Sequence, residues 1–264
     1  MTILSEVVPQ NTAIITLDRP KARNAWSEEM IAAFVSTLER YEADPEVRVL
    51  IITGAGSAFC AGGDLKLMKD HAGMFAGDAY HLRQRYRRGI QRIPALLDSY
   101  DKPIIAAVNG AAIGAGLDLA CMCDIRVASV RAKFGQTFPR LGLVPGDGGG
   151  YLLQRIVGFP KAIELGLTGE VITAEHAASI GLVNYVVEPE ALMERCLEIA
   201  ARIASNAPQA VALTKRAIYR ARHQTMSQAL ETAATFQGIV QNTADHDEGV
   251  AAMLDKRSPE YNNH

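Results

Sequence analysis

Two strand-length apolar runs, each leading straight into a loop of small residues, constrain this chain more than any other feature. Residues 47–53 read Val-Arg-Val-Leu-Ile-Ile-Thr and residues 103–108 read Pro-Ile-Ile-Ala-Ala-Val. A strand with one face in water alternates polar and apolar residues. A continuous β-branched run instead fits a strand covered on both faces, as in a parallel sheet packed between helices. The first run enters glycine-rich residues 54–63 and the second enters 109–116. A third glycine-rich loop, Pro-Arg-Leu-Gly-Leu-Val-Pro-Gly-Asp-Gly-Gly-Gly, occupies 139–150. The order apolar strand, glycine turn, helix recurs three times, although the residues themselves do not clearly repeat.

Around these runs the pattern is that of an α/β protein. Residues 12–17 alternate weakly as a strand. Ser27 is placed to cap a helix whose apolar positions Met30, Ile31, Phe34, Val35 and Leu38 recur at helical spacing. Residues 64–97 are polar and helical in pattern, 117–123 form a short helix, and 125–128 a strand. Helices follow at 151–157, 161–167 and 173–180, the last capped by Thr173 and ended by Gly181, before a strand at 182–187. From residue 188 onward the chain is helical and Ala-rich. This divides it into a core of strand and helix units over 1–190 and a helical region over 191–264.

With 48% hydrophobic residues, a chain of 264 can bury a substantial core. Its formal charge of −2 gives neither a nucleic-acid footprint nor an acidic tail. Cys60, Cys121, Cys123 and Cys196 match no zinc-ligand spacing, so no metal centre is expected, and they read as buried, reduced thiols. The first 16 residues lack a basic segment followed by an apolar one and do not read as a targeting sequence, so a cytoplasmic location is expected. The longest apolar run, 103–125, is interrupted by Asn109, Asp118 and Asp124. It reads as a buried strand passing into a buried helix, not as a membrane span.

The loop at 54–63 is no dinucleotide fingerprint, because Phe59 stands where the third glycine belongs. It lacks the Gly-Lys-Ser/Thr ending of a phosphate loop, and Ser57 lacks the frame of a nucleophile elbow. Two readings stay open: a tight turn, or half of an oxyanion hole in which two glycine turns aim backbone N–H groups at one point.

The residues also resemble a known family. Ser57-Ala-Phe-Cys-Ala-Gly-Gly-Asp-Leu65 and Asn109-Gly-Ala-Ala-Ile-Gly-Ala-Gly116, followed by Leu117-Asp-Leu-Ala120, are similar to the two oxyanion segments of the enoyl-CoA hydratase/isomerase (crotonase) family. Cys123-Asp-Ile-Arg-Val-Ala128, Gly142-Leu-Val-Pro-Gly146 and the tail Asp255-Lys-Arg-Ser-Pro259 follow in order. The resemblance implies a crotonase-like spiral of ββα repeats with a helical C-terminal region that builds a trimer, often paired into a hexamer. It implies an enzyme, a lyase or isomerase, that stabilises the enolate of an acyl-CoA thioester. Coenzyme A then comes as part of the substrate, with no permanently bound cofactor.

Residue by residue, the resemblance places the oxyanion donors on the N–H groups of Gly63 and Ala115. Of the two glutamates of a typical hydratase, the first falls on Asp118 and the second on Phe138, which can move no proton. Asp147 lies one position from where some isomerases and dehalogenases of the family carry a catalytic aspartate. Asp118 and Asp147 are thus the candidate acid–base groups, against the alternatives of a satisfied buried polar residue and a helix cap. Coenzyme A contacts are expected from Arg23, Ala61, Gly62, Asp64 and Leu65, and from Lys256 across a subunit boundary, with Asp64 read as a structural clamp on its loop. Arg83, Arg85, Arg87 and Arg88 form a solvated helix face or meet the coenzyme's phosphates; His71 and His81 lie in the family's lid segment. The expected activity is enoyl-CoA isomerisation or an atypical hydration. The alternatives are hydrolysis or C–C cleavage on the same fold, or acyl-CoA binding without catalysis.

Overall fold

The structure, a computed structural model, describes residues 2–262. Its centre is the run that opened the sequence. Strand β3 (Val49–Gly54) lies in a six-stranded sheet with β1 (Ile3–Val8), β2 (Thr12–Leu17), β5 (Ile104–Val108), β7 (Ile125–Ser129) and β10 (Tyr185–Val187), in the order β1-β2-β3-β5-β7-β10. Every pairing is parallel except β1 with β2. The unbroken apolar runs are explained by what each face covers. Val49, Ile51, Ile105, Ala107 and Val127 pack with Leu192, Cys196, Ile199 and Ala200 of a later helix. Leu50, Ile52, Ile104, Ala106 and Val108 point into the main core with Phe34, Leu38 and Trp26. Successive strand residues face opposite sides, so a strand buried on both has nowhere to place a polar residue.

Between β2 and β3 runs α1 (Glu28–Ala43), capped by Ser27, whose Oγ accepts from Met30 N at 3.2 Å. After β3, β5 and β7 the chain then forms a three-residue strand that leaves the large sheet for a small one, the first two within the glycine loops. These are β4 (Ala58–Cys60), β6 (Ala111–Ile113) and β8 (Lys133–Gly135), paired in parallel, with β9 (Val171–Thr173) antiparallel on the edge. Helices α2 (Leu65–Lys69), α3 (Ala79–Arg88) and α4 (Arg92–Asp98) follow β4. Helix α5 (Ala115–Met122) follows β6, with α6 (Gly149–Val157) and α7 (Phe159–Thr168) after β8. The chain therefore steps repeatedly from large sheet to small sheet to helix, the ββα spiral the resemblance implied. The segment 103–125 is β5 followed by β6 and then buried α5, so the expected run of strand into helix is broken by a second strand, and no helix among the described residues is long and apolar enough to cross a membrane.

Helix α8 (Ala174–Ser179) is capped by Thr173 as expected. The strand read over 182–187 shortens to β10, because the Leu182 N–H still bonds back to Ala177 O at 2.8 Å and closes the end of α8. Then come α9 (Leu192–Ala204), the helix on the large sheet, α10 (Pro208–Ala221), α11 (Met226–Val240) and α12 (Ala244–Asp255). Asp124 anchors α10: its carboxylate accepts from Ile104 N–H at 2.7 Å and Tyr219 Oη at 2.8 Å, and pairs with Lys215 Nζ at 2.9 Å. All four cysteines are buried and free.

Candidate active site

The two glycine turns converge. Gly62 has φ +88°, and a Cβ there would lie 2.7 Å from Ile113 O and 3.4 Å from Ala115 N. Only glycine tolerates both the left-handed backbone and that approach. The peptide joining Gly62 to Gly63 is thus laid against the start of α5. Neither the Gly63 N–H nor the Ala115 N–H has an acceptor among the described residues. Trp26 secures the first segment: its backbone N–H donates to Gly62 O at 2.8 Å, it bridges Gly63 in parallel, and its ring meets Phe34 edge-on at 5.5 Å. Asn24, buried and unmentioned by any motif, stitches the rest of the loop through Nδ2 to the carbonyls of Ala55 (2.9 Å) and Ala58 (2.8 Å).

The two aspartates differ in kind. Asp118, in the first turn of α5, is fully buried and has both oxygens occupied: Oδ1 accepts from Gln136 Nε2 at 3.0 Å and Oδ2 from the Gly149 N–H at 3.2 Å. Burial pushes its carboxyl up to about 8, with the charge of Asp147 adding to this and the two donors opposing it. Asp147 is 5% exposed, and its Oδ1 is buried without a partner. Burial raises it to about 6. It does not cap α6: the cap position is Gly148, and no side chain bonds there. Such a carboxyl is poised to hold or release a proton near neutrality.

Phe138 sits where a second acid was wanted, its ring 3.7 Å from where a Cβ on Gly114 would be. Met68 and Phe75 stand in front of Gly63 in the same sense, at 2.3 and 3.3 Å. Apolar side chains thus crowd the Cα positions of Gly63 and Gly114. Asp64 is the clamp the sequence suggested: it caps α2 through the Lys66 N–H and pairs with Arg19 at 3.3 Å. The Ala61 N–H donates to Arg23 O at 3.0 Å, Arg23 itself is exposed in a left-handed turn, and Leu65 is exposed. Lys256 forms the left-handed C-cap of α12, and no bond in this chain joins its side chain to the other candidates. Arg83, Arg85, Arg87 and Arg88 are exposed on α3, where Arg85 pairs with Glu28 at 3.4 Å. His81 pairs with Asp78, the cap of α3, and His71 is exposed. A separate cavity of about 530 Å³, lined by Cys121, Asp124, Lys215 and Tyr219 among others, touches none of the candidate residues.

A family profile described as enoyl-CoA hydratase/isomerase matches residues 8–264. The chain belongs to this family. Similar proteins include the crotonyl-CoA hydratase of Syntrophomonas wolfei, 38% identical over 96% of this chain and 95% of that one. The 1,2-epoxyphenylacetyl-CoA isomerase of Escherichia coli is 36% identical over 99% and 98%. The crystal structure of an enoyl-CoA hydratase from Bacillus anthracis superimposes with a TM-score of 0.94, at 34% identity and full coverage of both chains. The expectations of a crotonase fold and of an acyl-CoA enzyme of the hydratase/isomerase kind are met.

Proposed function

We propose that this member of the enoyl-CoA hydratase/isomerase family moves a double bond within an enoyl-CoA through a thioester enolate, with Asp147 carrying the proton. The observation that carries this is the buried Asp147 carboxylate with an oxygen left unpartnered. The Gly63 and Ala115 N–H groups receive the thioester oxygen, and the positive end of α5 favours the charge that develops there. Asp147, as carboxylate, takes a proton from the carbon next to the carbonyl. The electron pair spreads over the oxygen and the neighbouring double bond. The carboxylic acid so formed returns its proton at the far carbon, and the bond has shifted with no net gain or loss of atoms. Asp118, whose oxygens are both taken, we assign to holding Gln136 and the start of α6 in place behind Asp147. Water addition needs a group to ionise the water and another to protonate carbon, and Phe138 supplies neither.

Coenzyme A enters and leaves with the acyl group. Arg23, Ala61, Gly62 and Leu65 lie on the segment beside which it would run, with Lys256 contributed by a neighbouring copy in a homotrimer or a hexamer of paired trimers. The assignment of 191–264 as the region that builds this assembly, and a cytoplasmic location, belong to the same proposal. The test compares initial rates on a 3-enoyl-CoA and on crotonyl-CoA. Isomerisation is expected to outpace hydration, and Asp147→Asn to slow it by roughly a hundredfold to ten-thousandfold. Hydration is the second reading, favoured by the likeness to a crotonyl-CoA hydratase; fast hydration of crotonyl-CoA by the unaltered protein would establish it over the first.

A further inference from the structure

Helix α3 has no buried residue along its length and is mostly polar, with four arginines. Its one inward attachment to the core is Tyr86, which is half-buried and packs against the main apolar cluster. The ring lies on the backbone of Gly146, the residue before Asp147. A Cβ added at Gly146 would come within 2.9 Å of Tyr86 Cε1 and 3.3 Å of Cδ1. A few residues on, Gln91 Nε2 donates to Gly146 O at 2.8 Å. One segment, 86–91, thus grips the Asp147 loop at two adjacent points, once with an aromatic face and once with a hydrogen bond. No hydroxyl bond from Tyr86 reaches the Asp147 carboxylate, whose Oδ1 stays unpartnered. What the tyrosine brings to this loop is a cover.

We propose that Tyr86 is a positioning residue for the proton transfer: its ring, seated on Gly146, keeps water from the Asp147 loop and so makes the carboxylate a stronger base toward the substrate carbon. This deepens the assignment of Asp147 as the proton carrier and rests on it. The titratable groups that face Asp147 from its neighbours are Tyr86 on α3, Asp118 on α5 and Cys60 on β4, and each feels the Asp147 charge. None is a cation that could stabilise the carboxylate. With burial alone raising Asp147, its proton affinity depends on how dry the loop is kept. The phenol of Tyr86 is itself made a weaker acid, by burial first and by the Asp147 charge second, so it stays neutral when Asp147 ionises and adds no second negative charge.

The test is the pH dependence of kcat/KM for the isomerisation, measured from pH 4 to 9 in the unaltered protein and in Tyr86→Phe, Tyr86→Ala and Tyr86→Gln. The acid limb of the unaltered protein is expected near pH 6. Tyr86→Phe keeps the ring and is expected to keep the limb within a few tenths of a unit. Tyr86→Ala opens the loop to water; the limb is expected to move at least one unit lower, with kcat reduced. Tyr86→Gln fills most of the space with a hydrogen-bonding group and is expected to move the limb the same way, so the proposal stays testable if the alanine variant does not fold. A limb unmoved in both Tyr86→Ala and Tyr86→Gln, or moved as far by Tyr86→Phe as by Tyr86→Ala, overturns it. Failure of the underlying assignment looks different: Asp147→Asn would then keep its activity, whatever the tyrosine variants do.

Discussion

At the scale of single residues, Asp147 ties the proposed proton transfer to the stability of the fold. Its carboxyl is raised in the folded protein from an ordinary 3.8 to about 6, so the fold binds that proton more tightly than the unfolded chain does. The fold therefore gains from Asp147 as pH falls from 6 toward 4, and bears the full penalty of a dry carboxylate above 6. At about 1.4 kcal/mol per unit the penalty approaches ~3 kcal/mol. Asp147→Asn is expected to be more stable than the unaltered protein by about 1–3 kcal/mol at pH 7, with the difference vanishing near pH 4. Urea unfolding at the two pH values, at equal protein concentration, checks this; equal stability at pH 7 would show the carboxylate to be solvated. Gly62 makes a complementary case. An alanine there meets Ile113 O and forces a left-handed backbone, so the 62–63 peptide must swing away from α5. Gly62→Ala is expected to lower kcat by about a hundredfold or more, the scale of losing one oxyanion donor, while circular dichroism stays native. Activity within a few-fold would place the donors elsewhere.

Among the elements, α10 depends on a single carboxylate. Asp124 joins the start of β5, Lys215 and Tyr219, so removing it strands a backbone N–H, an ammonium and a phenol together. Asp124→Ala is expected to destabilise by roughly 2–4 kcal/mol and to raise hydrogen exchange selectively in α10; uniform exchange across the chain would contradict the anchoring role. This tie spans 95 residues between Asp124 and Tyr219, and no local pattern could have announced it. What the sequence did announce was whatever had enough length to show a period: the large-sheet strands other than β1, α1, and the Ser27 and Thr173 caps. The small sheet stayed hidden because its strands have three residues each, too few for alternation, and because β4 and β6 lie within glycine loops. Strand β1 was missed since only Ile3 along it is buried. In the candidate site, Gly63, Ala115 and Asp147 were reachable from the order of the motifs. The donors that saturate Asp118 lie 18 and 31 residues away, and Tyr86 belongs to no motif, so their parts emerge only from the folded chain.

For the molecule as a whole, the C-terminal helices leave apolar side chains in water. Met226, Leu230, Met253 and Leu254 on α11 and α12 are each more than 60% exposed, a surface that an isolated chain would rarely keep bare. Light scattering at micromolar concentration is expected to give three or six times the mass of one chain, and Met253→Glu with Leu254→Glu to reduce it; a monomer in the unaltered protein would refute the proposed assembly. Finally, the lone tryptophan of the chain is Trp26, whose backbone is bonded to the Gly62–Gly63 segment and whose indole N–H is buried with no partner. The chain's one indole fluorophore thus sits one hydrogen bond from the peptide proposed to hold the thioester oxygen. Excited at the red edge, apart from the chain's eight tyrosines, its emission is expected to change when a thioester reaches the proposed site at Gly63, a signal to follow in real time without label or chromogenic substrate.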